Sequence, residues 1–253
     1  MFIEQINKTA DLLLQAQYAI AFTGAGISTP SGVPDFRSPN SGIWKNVDPL
    51  AVASMYGFRQ NPAAFYNWIY PLAELTLHAR PNPAHEMLAH LEHQHILKAI
   101  ITQNIDTLHT RAGSQNVYEL HGHLREATCS HCFTVFPAEP IILKFLEDKR
   151  VPHCPHCGGV IKPNVILFGE QLPIKQFIAS QDAARKADVM FIIGSSLEVA
   201  PAADLPLLSL RNGGKLIILN YTPTHLDDKA DIVIHADAAQ ILPQIVQRME
   251  AVV

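Results

Sequence analysis

The hydrophobic residues of this chain recur in short, unbroken runs. Six apolar runs, often rich in β-branched residues, lead into a turn or a polar motif, and they lie at 18–23, 96–102, 164–168, 189–194, 215–219 and 231–235. Continuous apolar strands separated by helical segments are typical of a parallel sheet covered on both faces. A helical period of apolar residues over 3–17 precedes the first run. The pattern therefore predicts an α/β fold, with a parallel sheet between two layers of helices.

Four motifs stand where predicted strands end. They are Gly24-Ala25-Gly26, Gln103-Asn104-Ile105-Asp106, Gly194-Ser195-Ser196 and Asn220. Because open parallel sheets bind ligands at the carboxyl ends of their strands, we expect these motifs to surround one cleft. A Gly-x-Gly turn after a strand lets the backbone approach a pyrophosphate, although such turns are common. The two amides and the carboxylate of the second motif suit a ribose and a carboxamide.

Two stretches interrupt the sheet pattern. Residues 37–85 contain both tryptophans and several prolines, and residues 126–162 contain all four cysteines. Both are predicted to be insertions into the sheet-forming part of the chain. The predicted division is a discontinuous sheet domain of residues 1–36, 86–125 and 163–253, and a small domain made from the two insertions.

The cysteines form two Cys-x-x-Cys pairs, Cys129 with Cys132 and Cys154 with Cys157. Two such pairs suit a tetrahedral Zn²⁺ ion held by four thiolates, which leaves no open position for a catalytic water. We therefore expect one structural zinc ion. The alternative, a catalytic zinc, needs a non-cysteine ligand, and the nearby candidates are His131, His153 and His156.

Composition argues against several functional classes. The chain has 253 residues, of which 48% are hydrophobic, and its formal net charge is −4 without a long basic run. Nucleic-acid binding needs clustered Lys and Arg, so we expect no sequence-specific nucleic acid as a partner. The N-terminus lacks a signal-peptide pattern, and the apolar runs fall far short of the ~20 residues that span a bilayer. We expect a monomeric, cytoplasmic protein that does not bind a membrane.

The glycine turn continues into an unusually long loop, TGAGISTPSGVPDFR at 23–37. Together with TQNID at 102–106, ELHG at 119–122, the cysteine pairs, FGE at 168–170 and GSSL at 194–197, this loop resembles the sirtuin family of NAD-dependent protein deacylases. The motifs follow the order of that family over nearly the whole chain. The layout is most similar to the compact bacterial and archaeal deacetylases. The resemblance implies a Rossmann-like NAD-binding domain and a smaller domain made of a helical module and a zinc ribbon.

The resemblance also implies an NAD site. Asp106 and the Ile105 backbone would hold the nicotinamide carboxamide, and Asn104 and Gln103 would contact the nicotinamide ribose. Phe36 would cover that ribose. The full set of implied NAD contacts is Gly24, Ala25, Gly26, Thr29, Asp35, Phe36, Arg37, Gln103, Asn104, Ile105, Asp106, His121, Gly194, Ser195, Ser196, Asn220, Tyr221, Asp237 and Ala238.

His121 is the implied general base, assisted by Asn104 and Asp106, since histidine is the commonest base near neutral pH. An extended acyl-lysine peptide would add itself as a strand between two segments, which is β-augmentation. The implied substrate contacts are Phe36, His121, Ile166, Phe168, Gly169, Leu197 and Val199.

The residues alone leave other interpretations open. His121 could be a satisfied buried histidine, and Asn104 or Asp106 could cap the helix that begins near Leu108. Ser195 and Ser196 could serve turn chemistry. Without the motif, Phe36 would be interpreted as a core aromatic, and Arg37 could pair with Asp35. Four further histidines are interpreted as solvated helix residues: His85, His90, His93 and His95.

The function that the resemblance implies is NAD-dependent removal of an acyl group from protein lysine. The desuccinylating branch of the family has Tyr-x-x-Arg, but here Ile69 stands three residues after Tyr66. A buried acyl carboxylate would lack its cation, so we expect neutral acyl groups, acetyl first, on protein or peptide substrates. The alternatives are a mono-ADP-ribosyltransferase on the same scaffold and a non-catalytic zinc-ribbon module that binds acyl-lysine.

Overall fold

The structure is a computed structural model that describes residues 2–35, 43 and 47–252. The helices are α1 Ile3–Gln15, α2 Pro49–Val52, α3 Met55–Gln60, α4 Pro62–His78, α5 Pro83–His93, α6 Leu108–Arg111, α7 Ala138–Asp148, α8 Ile174–Lys186, α9 Leu205–Arg211 and α10 Ala238–Glu250. The strands are β1 Ala19–Thr23, β2 Leu97–Thr102, β3 Val117–Glu119, β4 Gly122–Cys129, β5 Val135–Pro137, β6 Ile161–Val165, β7 Val189–Ile193, β8 Lys215–Leu219 and β9 Ile232–Ile234. Within these ranges no helix is long and apolar enough to cross a membrane.

Six strands form one parallel sheet in the order β3-β2-β1-β7-β8-β9. The strand order reverses between β1 and β7, which is the topological switch point where such sheets bind ligands. Thr23 at the end of β1 lies opposite Thr102 on one side and Ile193 on the other, so three strands end level. The loops that follow β1, β2 and β7 therefore begin side by side at the same edge of the sheet.

Each face of the sheet carries its own hydrophobic core. Ala19, Ala21 and Phe191 face α1, α5 and α10, whereas Ile20 and Phe22 face α8 and α9. Every residue of β1 and β7 is buried. Burial of each large apolar side chain stabilises the fold by about 1.5–3 kcal/mol. The predicted α/β architecture with helices on both faces is confirmed.

Five of the six predicted strand runs lie in the parallel sheet, but the run at 164–168 does not. Residues Ile161–Val165 form β6, which pairs antiparallel with β4, and burial alternates along β6 because only one of its faces packs against other elements. Val165 and Leu167 pack against the aromatic residues of α4 instead of the sheet helices. The sixth parallel strand is β3, which has only three residues and therefore gives little periodic signal.

The second sheet is small and antiparallel, in the order β5-β4-β6. It extends from Gly122 to Val165, slightly beyond the predicted ribbon at both ends. The hydroxyl of Tyr66 in α4 donates a hydrogen bond to the carbonyl of Ile161 in β6. Phe65 and Tyr66 pack in one cluster with Phe145 of α7. The helical insertion and the cysteine-bearing insertion thus share a hydrophobic core beside the main sheet.

Candidate active site

The loops that follow β1 and β7 cross in direct contact. The N–H of Gly26 donates to the carbonyl of Gly194 at 2.8 Å, and a Cβ atom on Gly24 would lie 2.8 Å from the same carbonyl oxygen. Gly194 has a φ of 61°, and a Cβ there would lie 2.2 Å from the N of Ile27. Only glycine permits this approach without displacing backbone. The glycines therefore shape the switch point itself, in addition to leaving room for a ligand.

A buried network of polar side chains lies beneath these loops. The amide of Asn104 donates to the carbonyl of Gly24 and to the hydroxyl of Ser28, both at 3.1 Å. Ser28 in turn donates to the carboxylate of Asp106 at 2.7 Å. All three side chains are buried. Ser28 was not singled out in the sequence, although it stands inside the loop motif that follows the glycines.

Asp106 has two roles at once. One carboxylate oxygen accepts from Ser28, and the other accepts from the N–H of Leu108 at 2.9 Å, so the helix-capping interpretation holds for this residue. Burial raises the pKa of Asp106 above its ordinary value, and the hydrogen bonds from Leu108 and Ser28 oppose that rise. A carboxyl group with this perturbed environment beside a cleft is typical of a functional site.

His85 is fully buried, so its interpretation as a solvated histidine is wrong. It lies next to His109, with 4.9 Å between the two ring centroids. The N–H of Asn82 donates to Nδ1 of His85 at 3.4 Å, which places the proton of the neutral ring on Nε2, 3.4 Å from Ser28 Oγ. Burial lowers the pKa of His85 to about 4 and the pKa of His109 well below its ordinary value, so both rings are neutral at pH 7.

The neutral His85 ring fixes the direction of the hydrogen bonds at Ser28. Ser28 accepts from Nε2 of His85 and from the amide of Asn104, so its only proton points to Asp106. The sequence held a signal for this arrangement: His85 stands at the third helical position after Asn82-Pro83, on the same helix face as the apolar Leu88.

His121 lies between β3 and β4 and lines the cleft. Its Nδ1 is 3.0 Å from the carbonyl of Gln103. A carbonyl can only accept, so this contact places the proton of the neutral ring on Nδ1 and leaves Nε2 as the basic nitrogen. The next residue, Gly122, has a φ of 78°, and a Cβ there would lie 2.0 Å from the carbonyl of Asn164. The glycine thus allows the tight turn that presents the ring.

The other strand-end side chains form hydrogen bonds with protein groups that lie next to them. The amide of Gln103 donates to Ser195 Oγ at 2.8 Å, and Ser195 Oγ accepts from the N–H of Leu197 at 3.2 Å. The amide of Asn220 donates to the carbonyl of Thr222 at 2.7 Å. Asp237 caps α10 by accepting from the N–H of Ala239 at 2.8 Å, a role that sequence reasoning did not assign to it.

One cavity of about 1000 Å³ brings most of the expected site residues together. Its lining includes Gly24, Ala25, Gly26, Thr29, Asp35, Gln103, Asn104, Ile105, His121, Ile166, Phe168, Gly169, Gly194, Ser195, Ser196, Val199, Asn220, Tyr221, Asp237 and Ala238. Asp106 lies behind this lining. The side chain of Leu197 is buried in the core on the α8 side of the sheet and is not part of this lining, and its expected substrate contact stays a prediction. Phe36 and Arg37 lie outside the described residues.

The wall of the cavity on the small-module side is apolar. Phe65, Trp68, Ile69 and Leu72 of α4 line it together with Val165. Among the described residues of the lining there is no lysine or arginine, and the charged ones are Asp35, Glu170, Glu198 and Asp237. A carboxylate at the α4 wall would therefore meet no cation from the described part of the chain.

The four cysteine sulfurs lie within 4.8 Å of one another. Cys129 and Cys157 are 3.5 Å apart, and Cys132 and Cys154 are 3.6 Å apart. Zinc–sulfur bonds of about 2.3 Å set tetrahedral ligands about 3.8 Å apart, so the cluster fits Zn²⁺. In the described residues, no histidine joins these four ligands, so the fit is to a closed structural site.

Local hydrogen bonds lower the pKa of Cys129 and Cys132, whereas burial and the neighbouring sulfurs raise the pKa of Cys157. The backbone N–H groups of His131 and Cys132 point to Cys129 Sγ at 3.4 and 3.5 Å. Hydrogen bonds from Thr134 lower the pKa of Cys132 to about 6. A Cβ on Gly159 would lie 3.0 Å from Cys129 Sγ, so glycine leaves room for the sulfurs. These features are those of a site that binds a soft divalent cation.

The fold and this cleft define a dinucleotide-binding α/β protein in which an inserted, metal-binding module closes one side of the site. Within that class the chain belongs to the Sir2 family, whose sequence model matches residues 24–201. The expected resemblance is thereby confirmed. An NAD-dependent protein deacetylase of Caldivirga maquilingensis is 44% identical over 250 residues, which cover 99% of this chain and 96% of the relative. An NAD-dependent protein deacylase 2 of Archaeoglobus fulgidus is 42% identical and covers 98% and 97%.

Solved structures agree with these relatives. One described as "Structural Basis for the Mechanism and Regulation of Sir2 Enzymes" has a TM-score of 0.93 and 40% identity, with all of both chains covered. A Sir2 structure with a p53 peptide and NAD⁺ has a TM-score of 0.88, 39% identity and coverage of 96% of this chain and 98% of that one. A Sir2Tm structure bound to a propionylated peptide has a TM-score of 0.86, 39% identity and coverage of 96% and 97%.

Proposed function

We propose that this protein is an NAD-dependent protein-lysine deacetylase, which transfers the acetyl group of an acetyl-lysine to ADP-ribose and releases nicotinamide. The observation that carries the proposal is the position of His121. Its ring is oriented by the carbonyl of Gln103, and it lines the same cavity as Asn104 and the crossing glycine loops. Relatives more than 40% identical over nearly the full length are named NAD-dependent protein deacetylase or deacylase, which supports the proposal.

The cavity residues suit the parts of NAD. Asp106 and the Ile105 backbone would bind the carboxamide, and Asn104 and Gln103 would bind the adjoining ribose. Gly24 to Gly26, Ser195 and Ser196 would lie against the phosphates and the second ribose, with Asn220 and Tyr221 at the adenosine. Arg37 would pair with phosphate and Phe36 would cover the ribose. Thr29, Asp35, Gly194, Asp237 and Ala238 complete the proposed wall.

NAD supplies an electrophilic ribose carbon when it is bound, since nicotinamide is its leaving group. The protein contributes positioning, exclusion of water and one proton acceptor. His121 would take a proton from a ribose hydroxyl at Nε2, because Nδ1 is already engaged by Gln103. The buried Asn104 and Asp106 are oriented before any ligand arrives, and this reduces the cost of ordering the site.

The acyl-lysine peptide would bind as a strand between two cleft edges, Ile166 to Gly169 and Leu197 to Val199. One side of the first edge is already paired: the N–H of Phe168 donates to Ala53 at 2.8 Å, and its carbonyl accepts from Met55 at 3.0 Å. Glu170 bonds to the N–H and the carbonyl of Leu167, so the peptide would pair with the carbonyl of Ile166 and the backbone of Gly169. Backbone recognition of this kind supports acceptance of many protein sequences.

We propose a preference for neutral acyl groups, acetyl first, because Ile69 stands at the apolar wall where a cation would be needed. The test compares kcat/KM for acetyl-, malonyl- and succinyl-lysine versions of one peptide. Acetyl should exceed both acids by more than about tenfold, since an unpaired buried charge is costly. A succinyl or malonyl activity above the acetyl activity would overturn the preference.

We further propose one structural zinc ion at the four cysteines, and a monomer that works in the cytoplasm. The first rests on the sulfur geometry. The cytoplasmic location is supported by the four cysteines, none of which forms a disulfide, since thiols persist in a reducing compartment. Metal analysis should give one zinc per chain, and light scattering should give the mass of one chain. A dimer at micromolar concentration would contradict the monomer.

The function is tested by mass spectrometry of an acetyl-lysine peptide incubated with and without NAD. The wild-type protein should remove the acetyl group only with NAD, and His121→Ala should reduce the rate by at least about 100-fold. Folding and zinc content of His121→Ala serve as controls. Equal turnover by the two proteins would contradict the role of His121, and absence of turnover by a folded, zinc-loaded wild type would contradict the proposed activity.

A further inference from the structure

Lys162 is a largely buried cation at the end of the ribbon, beside the cleft. Its Nζ lies 2.7 Å from the carbonyl of Val165, 3.2 Å from the carbonyl of Pro163 and 3.1 Å from Glu170 Oε2. An ammonium group has three donors, and these three acceptors use all of them. The Lys162 side chain is 15% exposed, so it is not an ordinary solvated lysine. Sequence reasoning did not single it out.

Glu170 completes a closed arrangement. Its Oε2 also accepts from the N–H of Leu167 at 2.7 Å, and its own N–H donates to the carbonyl of Leu167 at 3.0 Å. The ion pair therefore joins Val165, which Lys162 holds, to Leu167, which Glu170 holds. We call this ion pair with its backbone contacts the Lys162–Glu170 clamp.

The segment that the clamp encloses contacts both the candidate base and the cleft edge. The N–H of Ile166 donates to the carbonyl of His121 at 2.8 Å. Two residues later, Phe168 pairs with Ala53 and Met55. Ile166, Phe168 and Gly169 line the cavity. Small movements of this segment would therefore move the peptide edge and the backbone of His121 together.

We propose that Lys162 and Glu170 are positioning residues, and that their clamp holds residues 165–169 in the conformation that receives the acyl peptide. This inference rests on the proposed function, since it requires the peptide to pair with that edge. Neither residue needs to touch NAD. The clamp acts through backbone carbonyls and an N–H, so its effect falls on binding of the peptide.

The exposure of the two side chains indicates how strongly the clamp acts. At 15% and 22% exposed, the pair is screened much less than a surface ion pair. Removal of one partner leaves the other charge buried without compensation. Loss of either partner should therefore loosen residues 165–169, because water would not substitute for the missing charge.

The test measures peptide and NAD affinity separately in three variants. Lys162→Met removes the charge, Lys162→Arg keeps it, and Glu170→Gln keeps an acceptor for Leu167 but removes the ion pair. Lys144→Met is the matched control, because Lys144 pairs with Asp148 at 3.0 Å on the surface. Fluorescence polarisation of a labelled acetyl-lysine peptide gives its Kd without turnover, and steady-state kinetics give the two KM values.

We expect Lys162→Met to raise the Kd and KM of the peptide about tenfold while the KM of NAD changes less than about twofold, since loss of one or two backbone hydrogen bonds of about 1 kcal/mol each weakens binding by that order. Lys162→Arg should recover most of the affinity, and Glu170→Gln should lose about threefold. If Lys162→Met does not fold, the comparison of peptide Kd between Glu170→Gln and Lys144→Met tests the proposal instead. Unchanged peptide affinity in folded variants, or equal losses for peptide and NAD, would overturn the proposal.

The two proposals fail in distinguishable ways. A wild type that binds the labelled peptide without NAD-dependent turnover would contradict the proposed function, and the clamp would still be judged by the Kd values. A wild type that binds no acetyl-lysine peptide would overturn both.

Discussion

The two ends of the cleft are built in different ways. At the His121 end, Asn104, Ser28 and Asp106 bond to one another in a buried network that is complete without a ligand. At the Asn220 end, side chains mainly satisfy nearby backbone: Asn220 bonds to Thr222, and Asp237 caps α10. Tyr221 is 79% exposed. The first end is preorganised for chemistry, whereas the second offers a surface for binding.

The largest effect should follow Asp106→Asn. The carboxylate accepts from Ser28 and from Leu108, and an amide can accept only with its single oxygen, so one donor would face another donor. We expect kcat/KM to fall by about 100- to 1000-fold, the usual cost of losing a preorganised polar group. Steady-state deacetylation measures it, with the exposed Asp11→Asn as control. A loss below about threefold would show that the network does not carry catalysis.

The next largest effect should be on how the free energy of unfolding depends on pH. The pKa of His85 is about 4 in the folded protein, below its ordinary value of 6.5, so the unfolded chain binds a proton that the folded chain does not. Stability should therefore be lost as pH falls from 6.5 toward 4. At pH 5 the loss is about 2 kcal/mol, from 1.36 kcal/mol per pKa unit.

Urea unfolding of wild type and His85→Gln at pH 7.5 and pH 5 measures this difference. Both proteins keep His109 and Asp106. Burial, the main cause of the lowered pKa of His109, acts in each of them, and the charge of His85 lowers it further in wild type only. Glutamine cannot be protonated, and the variant should lose about 2 kcal/mol less than wild type at pH 5. Equal losses would mean that His85 does not remain neutral in the fold.

A smaller effect should separate His85→Leu from His85→Gln. Glutamine can still donate to Ser28, whereas leucine cannot, and loss of that donor frees the Ser28 hydroxyl to turn from Asp106. We expect about a tenfold loss of kcat/KM for leucine, near 1.4 kcal/mol, and less than about threefold for glutamine. Thermal denaturation checks that both variants fold. If both variants lose activity equally, the direction of the Ser28 proton is irrelevant.

The smallest effect is expected at the other end of the cleft. Asn220→Ala should raise the KM of NAD about threefold with kcat nearly unchanged, because a single hydrogen bond contributes about 1 kcal/mol. Initial rates at varied NAD and saturating peptide measure both constants. A large fall in kcat would contradict the division of the cleft into a chemical end and a binding end.

Sequence predicted the parts of the molecule that depend on periodicity and short motifs. The apolar runs that become β1, β2, β7, β8 and β9 are continuous because both faces of the sheet are covered. The cysteine spacing predicted the sulfur cluster that the fold assembles. The sequence also predicted the glycine loops after β1 and β7. Their contact with each other across the switch point joins two distant segments, and neither segment alone predicts it.

The parts that sequence missed depend on long-range packing. The run at 164–168 has the composition of a core strand, but Val165 and Leu167 pack against α4, and Ile166 and Phe168 line the cleft. His85 has a polar side chain on an apolar helix face, and its burial is explained by two distant partners, Ser28 and the ring of His109. Lys162 resembles any surface lysine until Glu170 and the carbonyl of Val165 are placed around it.

The most direct test of the account is the stoichiometry of the products. Wild-type protein, an acetyl-lysine peptide and NAD should yield one nicotinamide and one O-acetyl-ADP-ribose for each acetyl group removed, all measured in one mass-spectrometric time course. Transfer of ADP-ribose to protein, or release of free acetate without consumption of NAD, would contradict the claim that the His121 end of the cleft passes the acyl group to ADP-ribose.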